Sequence, residues 1–231
     1  RPATAARWLA GGGAARLGLG PRPNWSRLHA PPVPGQPQRV LLVANLRDPA
    51  SIPPADTGAR AEYEAMNALR IDCIRALRRA FGSRFHGGLQ PGAYAQRIAP
   101  DLVLGAGRPL PGEASLRLLR GHGVCVTPTG PLGACGPRLA DAIALSRAIV
   151  SEPLRNAIAG DLGPGTHYLE YATPEDCVSR VAWLFDRAAQ RDAMARANWE
   201  YYQRWQRPDR LALRLVALTW AAARARAGVT A

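Results

Sequence analysis

Apolar positions along the chain fall into short continuous runs that alternate with longer stripes of helical period. Val40-Leu41-Leu42-Val43-Ala44 is a continuous run, which is how a strand buried on both faces reads. From Gly58 to Phe81 the residues Met66, Leu69, Cys73, Ile74, Leu77 and Phe81 recur on one helical face, and Gly82 supplies the stop. Asn67, Arg70 and Asp72 lie off that stripe. Further strands are predicted at Arg84–Leu89, Asp101–Gly105 and His167–Ala172. Helices are predicted at Gly92–Ile98, Glu113–Arg120, Arg191–Trp205 and from Pro208 to Ala225. Thr173-Pro174-Glu175-Asp176 reads as a helix start, with a hydroxyl cap, proline in the first turn and acids behind it. About five strands alternate with helices from residue 39 onward, which predicts an α/β fold: a parallel, Rossmann-like sheet with helices on both faces. Residues 1–38 are broken by glycines and prolines and are expected to be an irregular linker or remnant, with a short helix at Thr4–Leu9.

The stretch from His122 to Leu154 is one βαβ unit. Val124-Cys125-Val126 is its first strand and Ala148-Ile149-Val150 its second. Between them lie a loop with Thr127, Thr129, Gly130, Gly133 and Gly136, and a helix from Pro137 to Ser146. Ligands of open α/β sheets bind at the carboxyl ends of the strands, here Thr127–Gly136 and Ser151–Arg155. A helix N-terminus reached through glycines attracts anions, phosphate above all. Arg138 stands in the first turn, where the helix dipole disfavours a cation, so a bound anion explains it better than solvation does. Glu152 follows the second strand, where an acid belongs to a functional edge or a solvated end.

Charge and composition narrow the chemistry. The net charge is +13, and every basic residue is Arg. Without Lys there is neither a Walker A loop nor a Schiff-base amine. The arginines are scattered and not interleaved with aromatics, so nucleic acid is not the expected partner. Cys73, Cys125 and Cys177 read as small core residues in a reduced, cytoplasmic setting, while Cys135 sits in the glycine loop. The four histidines make no metal-ligand spacing, so no metal is expected. The first 20 residues lack the apolar core of a signal peptide, and no apolar stretch has membrane-spanning length.

Several segments together resemble the bacterial group 1-like glycosyltransferases of the GT-B type. These are Gly165-Thr166-His167-Tyr168-Leu169-Glu170-Tyr171, then Thr173-Pro174-Glu175-Asp176-Cys177, then Arg191-Asp192-Ala193-Met194 with Asn198 and Tyr201-Tyr202. Ala140 to Glu152 is similar to the family's helix-and-strand segment at the donor site, with Asp141 where the family has Glu. Glu64, Asn67, Arg70, Arg75, Phe81-Gly82 and Gly87-Gly88 are similar to a branch associated with surface polysaccharides. The resemblance covers residues 39–212 and implies the C-terminal, nucleotide-sugar-binding half of a GT-B enzyme, with residues 39–231 as the donor-binding domain. It implies no cofactor beyond a nucleotide diphosphate sugar donor, and a glycan or lipid-linked acceptor. Peripheral contact with the inner face of a membrane is compatible with that acceptor. The donor-binding residues it implies, together with the loop reading above, are Thr129, Gly130, Gly133, Gly136, Arg138, Asp141, Glu152, Asn67 and Arg70. Asp141 would accept hydroxyl hydrogen bonds, and Arg138 would neutralise the diphosphate. The sequence offers no general base. The alternatives are a non-catalytic donor-domain relic that binds nucleotide or a protein partner, and a basic nucleic-acid-binding domain.

Overall fold

A computed structural model describes residues 28–105 and 112–228. Five strands form one parallel sheet: β1 Val40–Ala44, β2 Phe85–Leu89, β3 Val124–Thr127, β4 Ala148–Ser151 and β5 Leu169–Glu170, in the order β2-β1-β3-β4-β5. The helices are α1 Thr57–Phe81, α2 Ala93–Ile98, α3 Gly112–Arg120, α4 Pro137–Ala144, α5 Pro174–Asp186, α6 Ala188–Tyr201 and α7 Pro208–Gly228. A π-helix, Tyr202–Gln206, joins the last two. The predicted α/β class with a parallel sheet is the observed one. The predicted helix at Thr4–Leu9 lies outside the described residues.

Because side chains alternate across a strand, the continuous apolar runs feed two cores. Val40, Leu42, Val124, Val126, Ala148 and Val150 pack with α1 and α5 through Cys73, Ile74, Leu77, Cys177, Val181 and Leu184. Leu41, Val43, Cys125 and Ile149 pack on the other face with α3, α4 and Tyr201 and Tyr202. Cys73, Cys125 and Cys177 are buried in these cores, as their spacing predicts, and Cys135 is exposed. Burial pushes the Cys125 thiol up to about 12, so it is an apolar filler, not a nucleophile. The Thr173 cap forms as predicted: its hydroxyl accepts from the Asp176 N–H at 3.1 Å.

Three local features differ from the sequence reading. The run at 101–105 is not a strand. A 3-10 turn at Pro100–Leu102 leaves Val103 to make a single bridge to Leu89 on the outer edge of β2. The predicted strand 167–172 narrows to two paired residues. The helix after the glycine loop stops at Ala144, short of Ser146, through a residue that is not glycine. Ser146 takes φ 55°, and the N–H groups of Ser146 and Arg147 cap the carbonyls of Ile143 and Ala142, the Schellman pattern. The strain is held by the Ser146 hydroxyl, which donates to the Ala30 carbonyl at 2.6 Å.

That last bond also shows how residues 28–38 are attached. They contain no helix or strand and are stitched to the domain. Ala30 N–H donates to Ala144 O, Gln36 Nε2 to Ser146 O, and Gly123 N–H to Pro37 O.

Candidate functional site

Two clefts open at the carboxyl edge of the sheet and share Thr129 and Gly130 as a common wall. The first, about 180 Å³, lies between the ends of β1 and β3 and is lined by Asn45, Arg47, Arg70, Gln90, Gly136, Arg138 and Asp141 among others. The second, about 320 Å³, lies towards α1 and β4 and includes Glu62, Gly133, Glu152, Arg155 and Tyr171. Together they fall within the ~300–1,000 Å³ of ordinary small-molecule sites.

The first cleft is cationic. Arg47, Arg70 and Arg138 line it against a single carboxylate, Asp141. Helix α4 begins there: Gly136 is its N-cap, no side chain caps it, and Pro137 occupies the first turn. The N-terminus of the helix thus brings backbone donors and a positive dipole end to the same place. One Arg138 Nη1–H donates to the Ser115 hydroxyl at 2.7 Å, which fixes the guanidinium. Burial lowers the Arg138 pKa, against the pull of Cys125 and Asp141. Burial raises the Asp141 pKa and Arg138 opposes it. Asp141 stands one turn after Arg138 on α4, and each senses the other's charge.

Arg70 and Asn67 are the main surprise. The sequence reading puts both off the apolar stripe of α1, yet both are buried: at about 100° per residue Arg70 falls among Met66, Cys73 and Leu77 on that stripe, and Asn67 at its edge. The chain after β1 folds over that side of the helix and offers its backbone. The Asn67 amide donates to Arg47 O at 2.6 Å and its carbonyl accepts from Arg47 N–H at 2.9 Å. Arg70 donates to Asn45 O and, at 2.5 Å, to Thr129 O. Asn67 therefore shapes the loop behind the cleft, and Arg70 ties the β1 loop to the β3 loop while lining the cleft itself. Burial lowers the Arg70 pKa, and Glu152 is the first group to counter it.

Glu152 fastens the shared wall. Its carboxylate accepts from the Thr129 hydroxyl at 2.5 Å, from the Thr129 N–H at 3.3 Å and from the Tyr171 hydroxyl at 3.4 Å. Burial and then Glu152 push the Tyr171 pKa well up, so Tyr171 stays a donor. The predicted contacts from Thr129 and Gly130 are thus engaged inside the loop: Gly130 N–H donates to Ala134 O at 2.6 Å. Gly133 has φ 70° and donates to Gly130 O, while its carbonyl accepts from Asn156 Nδ2 at 3.1 Å. A Cβ at Gly133 would stand 2.7 Å from the Arg155 side chain, so the glycine is required there.

Beside it Leu132 takes φ 56° and leaves its side chain 77% exposed. The Leu132 N–H donates to Glu62 Oε1 at 2.7 Å. A left-handed conformation costs a non-glycine residue roughly 1–2 kcal/mol, and here no packing of the side chain offsets it. Leu132→Gly should therefore stabilise the protein by about 0.5–1 kcal/mol, after allowing for the greater chain entropy of glycine. A urea melt that moved to a lower midpoint would contradict this.

The sequence-predicted residues thus come together on one sheet edge: Arg138, Asp141, Gly136 and Arg70 in the first cleft, Glu152 and Gly133 in the second, Thr129 and Gly130 in both. Asn67 stands behind them. Arg155 ends the predicted edge Ser151–Arg155, whereas sequence reasoning missed Arg47, Gln90, Glu62 and Tyr171. Arg47 had a signal, since it follows the end of β1 at the ligand-binding edge. Glu62 had none, because its partner Leu132 lies 70 positions away.

No protein-family model matches the sequence, and no curated protein sequence matches it either. Solved structures do match. Sucrose-phosphate synthase from Thermosynechococcus elongatus superposes with a TM-score of 0.52 at 17% identity, over 75% of this chain and 50% of that one. The fold is one that glycosyltransferases use. The C-terminal domain of a glycosyl transferase group 1 family protein from Francisella tularensis gives a TM-score of 0.49 at 9% identity, over 74% of this chain and 86% of that one. The chain spans about half the length of the sucrose-phosphate synthase.

Proposed function

We propose that this chain binds a nucleotide diphosphate sugar and is the donor-binding part of a glycosyltransferase whose acceptor is a glycan or a lipid-linked glycan. The observation that carries the reading is the first cleft: three arginines and the uncapped start of α4 converge at the carboxyl edge of a parallel sheet. Such an arrangement suits a diphosphate, because backbone N–H groups and guanidinium forks both match its oxygens. Asp141, on the same cleft wall, would accept hydrogen bonds from hydroxyl groups of the same ligand. In transfer, the nucleotide diphosphate departs with its bonding electron pair. Arg138 and the helix end would stabilise that growing charge, and electrostatic stabilisation of this kind often dominates the acceleration of group transfer.

Thermal melting with uridine, guanosine and adenosine diphosphates and their sugar conjugates tests the reading. A ligand at 100 times its dissociation constant adds about 2.7 kcal/mol of stability, and one nucleotide class should do so. Arg138→Ala should abolish that shift while leaving the melting temperature without ligand nearly unchanged, since the side chain is only half-buried. A panel without any shift, or a shift retained in the variant, would overturn the assignment.

A further inference from the structure

At the end of the sheet opposite the clefts, the amino ends of the strands gather basic side chains. His122 stands between α3 and β3, His86 lies in β2, Arg39 precedes β1 and Arg147 precedes β4. The His122 and His86 rings meet edge to face, 4.8 Å between centroids. His122 is 3% exposed, and its Nδ1 lies 2.6 Å from Leu118 O in the last turn of α3. A carbonyl only accepts, so Nδ1 carries the proton and the neutral ring leaves Nε2 bare. That Nε2 is buried without a partner, and so is Nδ1 of His86. The Arg147 guanidinium donates to Leu145 O, His122 O and Arg120 O. Among the described residues no carboxylate bonds to His122, His86 or Arg147.

We propose that His122 is a proton-sensitive latch: the neutral ring fastens the last turn of α3, and a proton taken up at Nε2 releases it. That proton would enter an enclosed place with no acceptor. His86 faces it from β2, Arg39 from the start of β1 and Arg147 from the start of β4, with Arg120 beside Arg147. Burial, and after it these three neighbours, hold the His122 pKa below its ordinary 6.5, against the pull of the Leu118 bond. A charged ring reaches water only by swinging out, which gives up Leu118 O. The release is felt at the other end of the sheet, because α3 also carries Ser115, whose hydroxyl holds the Arg138 guanidinium at 2.7 Å. The sign follows from the lowered pKa. The contribution of the neutral ring is complete above the unfolded value of about 6.5 and is lost as pH falls through the folded one. Burial lowers the His167 pKa as well, so that ring adds an effect of the same sign.

The test is urea unfolding of the intact chain from about pH 8 to about pH 5, beside His122→Asn. Each histidine held neutral by the fold raises the unfolding constant by up to about tenfold per pH unit below the unfolded value. Asparagine keeps an amide donor for Leu118 O and does not titrate, so the variant should lose one such factor and retain that of His167. Hydrogen exchange in the wild type, corrected for the intrinsic rate at each pH, isolates the latch itself. Between about pH 7.5 and pH 5.5 the amides of residues 115–120 should lose about tenfold more protection than those of β3. In His122→Asn the two segments should change together. An equal pH slope in the two proteins would overturn the proposal. So would α3 protection that acid leaves unchanged in the wild type, a result that stands even if the variant does not fold. A wild-type His122 ring that titrates at or above its ordinary value by NMR would overturn it as well. None of these measurements uses nucleotide, so the donor-site reading stands or falls separately.

Discussion

Replacing Arg70 by methionine should cost about 3–5 kcal/mol of stability and, with it, the proposed nucleotide binding. Methionine fits the volume of the stem, so the loss is one of hydrogen bonds and charge. The guanidinium donates to two carbonyls on two different loops, Asn45 O and Thr129 O. Each acceptor left without a partner in an enclosed place costs roughly 1–3 kcal/mol. Glu152 would also lose the nearby cation that it counterbalances, which adds to the penalty. Against a total stability of about 5–15 kcal/mol this is severe but not fatal, so the variant should still fold in the cold. Binding should go because the β1 and β3 loops that wall the first cleft are no longer tied together. Arg70→Lys should rescue little, since one ammonium cannot span two carbonyls as a planar fork does. The comparison with Arg138→Ala is the informative one: Arg138 should affect binding alone, Arg70 binding and the urea midpoint together. An Arg70→Met protein with a wild-type midpoint would show that the two loops are held by something else.

What is legible in the sequence and what is not follows from the range of each interaction. The continuous run at β1, the stripe of α1 and the Thr173 cap are set by neighbours within a few positions, and the structure keeps all three. Leu102-Val103-Leu104 has the composition of a strand, but Pro100 opens a 3-10 turn beside it and only Val103 reaches the sheet. The stop at Ser146 depends on Ala30, 116 positions away. The helix expected to run to Trp205 widens into a π-helix after Tyr201. There Trp205 packs so closely on Gly160 that a Cβ would lie 2.6 Å from the ring. The site divides in the same way. Gly136, Pro137 and Arg138 carry a local anion signature that the fold preserves. Helical spacing sets Arg70 among Met66, Cys73 and Leu77, but only the loops that cross the helix explain what buried Arg70 and Asn67 bond to. Thr129 reads as a ligand contact because its partner Glu152, beyond the next helix, cannot be paired with it by local pattern.

The largest effect on folding should come from one added methyl group. Gly87→Ala is expected to leave the protein insoluble or unfolded at 25 °C. The sequence places Gly87 and Gly88 at the end of a strand; in the structure they lie inside β2, in register with Leu42 and Val43 of β1. Gly87 has φ 137°, and a Cβ built on it would stand 1.8 Å from Leu42 O and 2.7 Å from Leu42 C. Those are backbone atoms of the neighbouring strand β1, so no side-chain rotation relieves the clash. Either β2 moves off β1 or the peptide turns and loses its ladder bonds. Both routes open the core formed by Leu42, Phe85 and Leu89. Moving β2 outwards is blocked as well, because Gly88 on its other side already meets Leu102 O, at 2.4 Å from an ideal Cβ. The strand is held between two backbones at a distance only glycine permits. Gly58→Ala is the control. It lies in the first turn of α1, where a Cβ would meet only the Asp56 carboxylate, at an ordinary 3.9 Å, and alanine there should stabilise the helix by about 0.5–1 kcal/mol. Soluble expression and a circular-dichroism melt of the two variants decide the matter. A Gly87→Ala protein that melts near the wild type would mean that the β1–β2 spacing yields, and with it the position of Asn45 and Arg47 at the mouth of the first cleft.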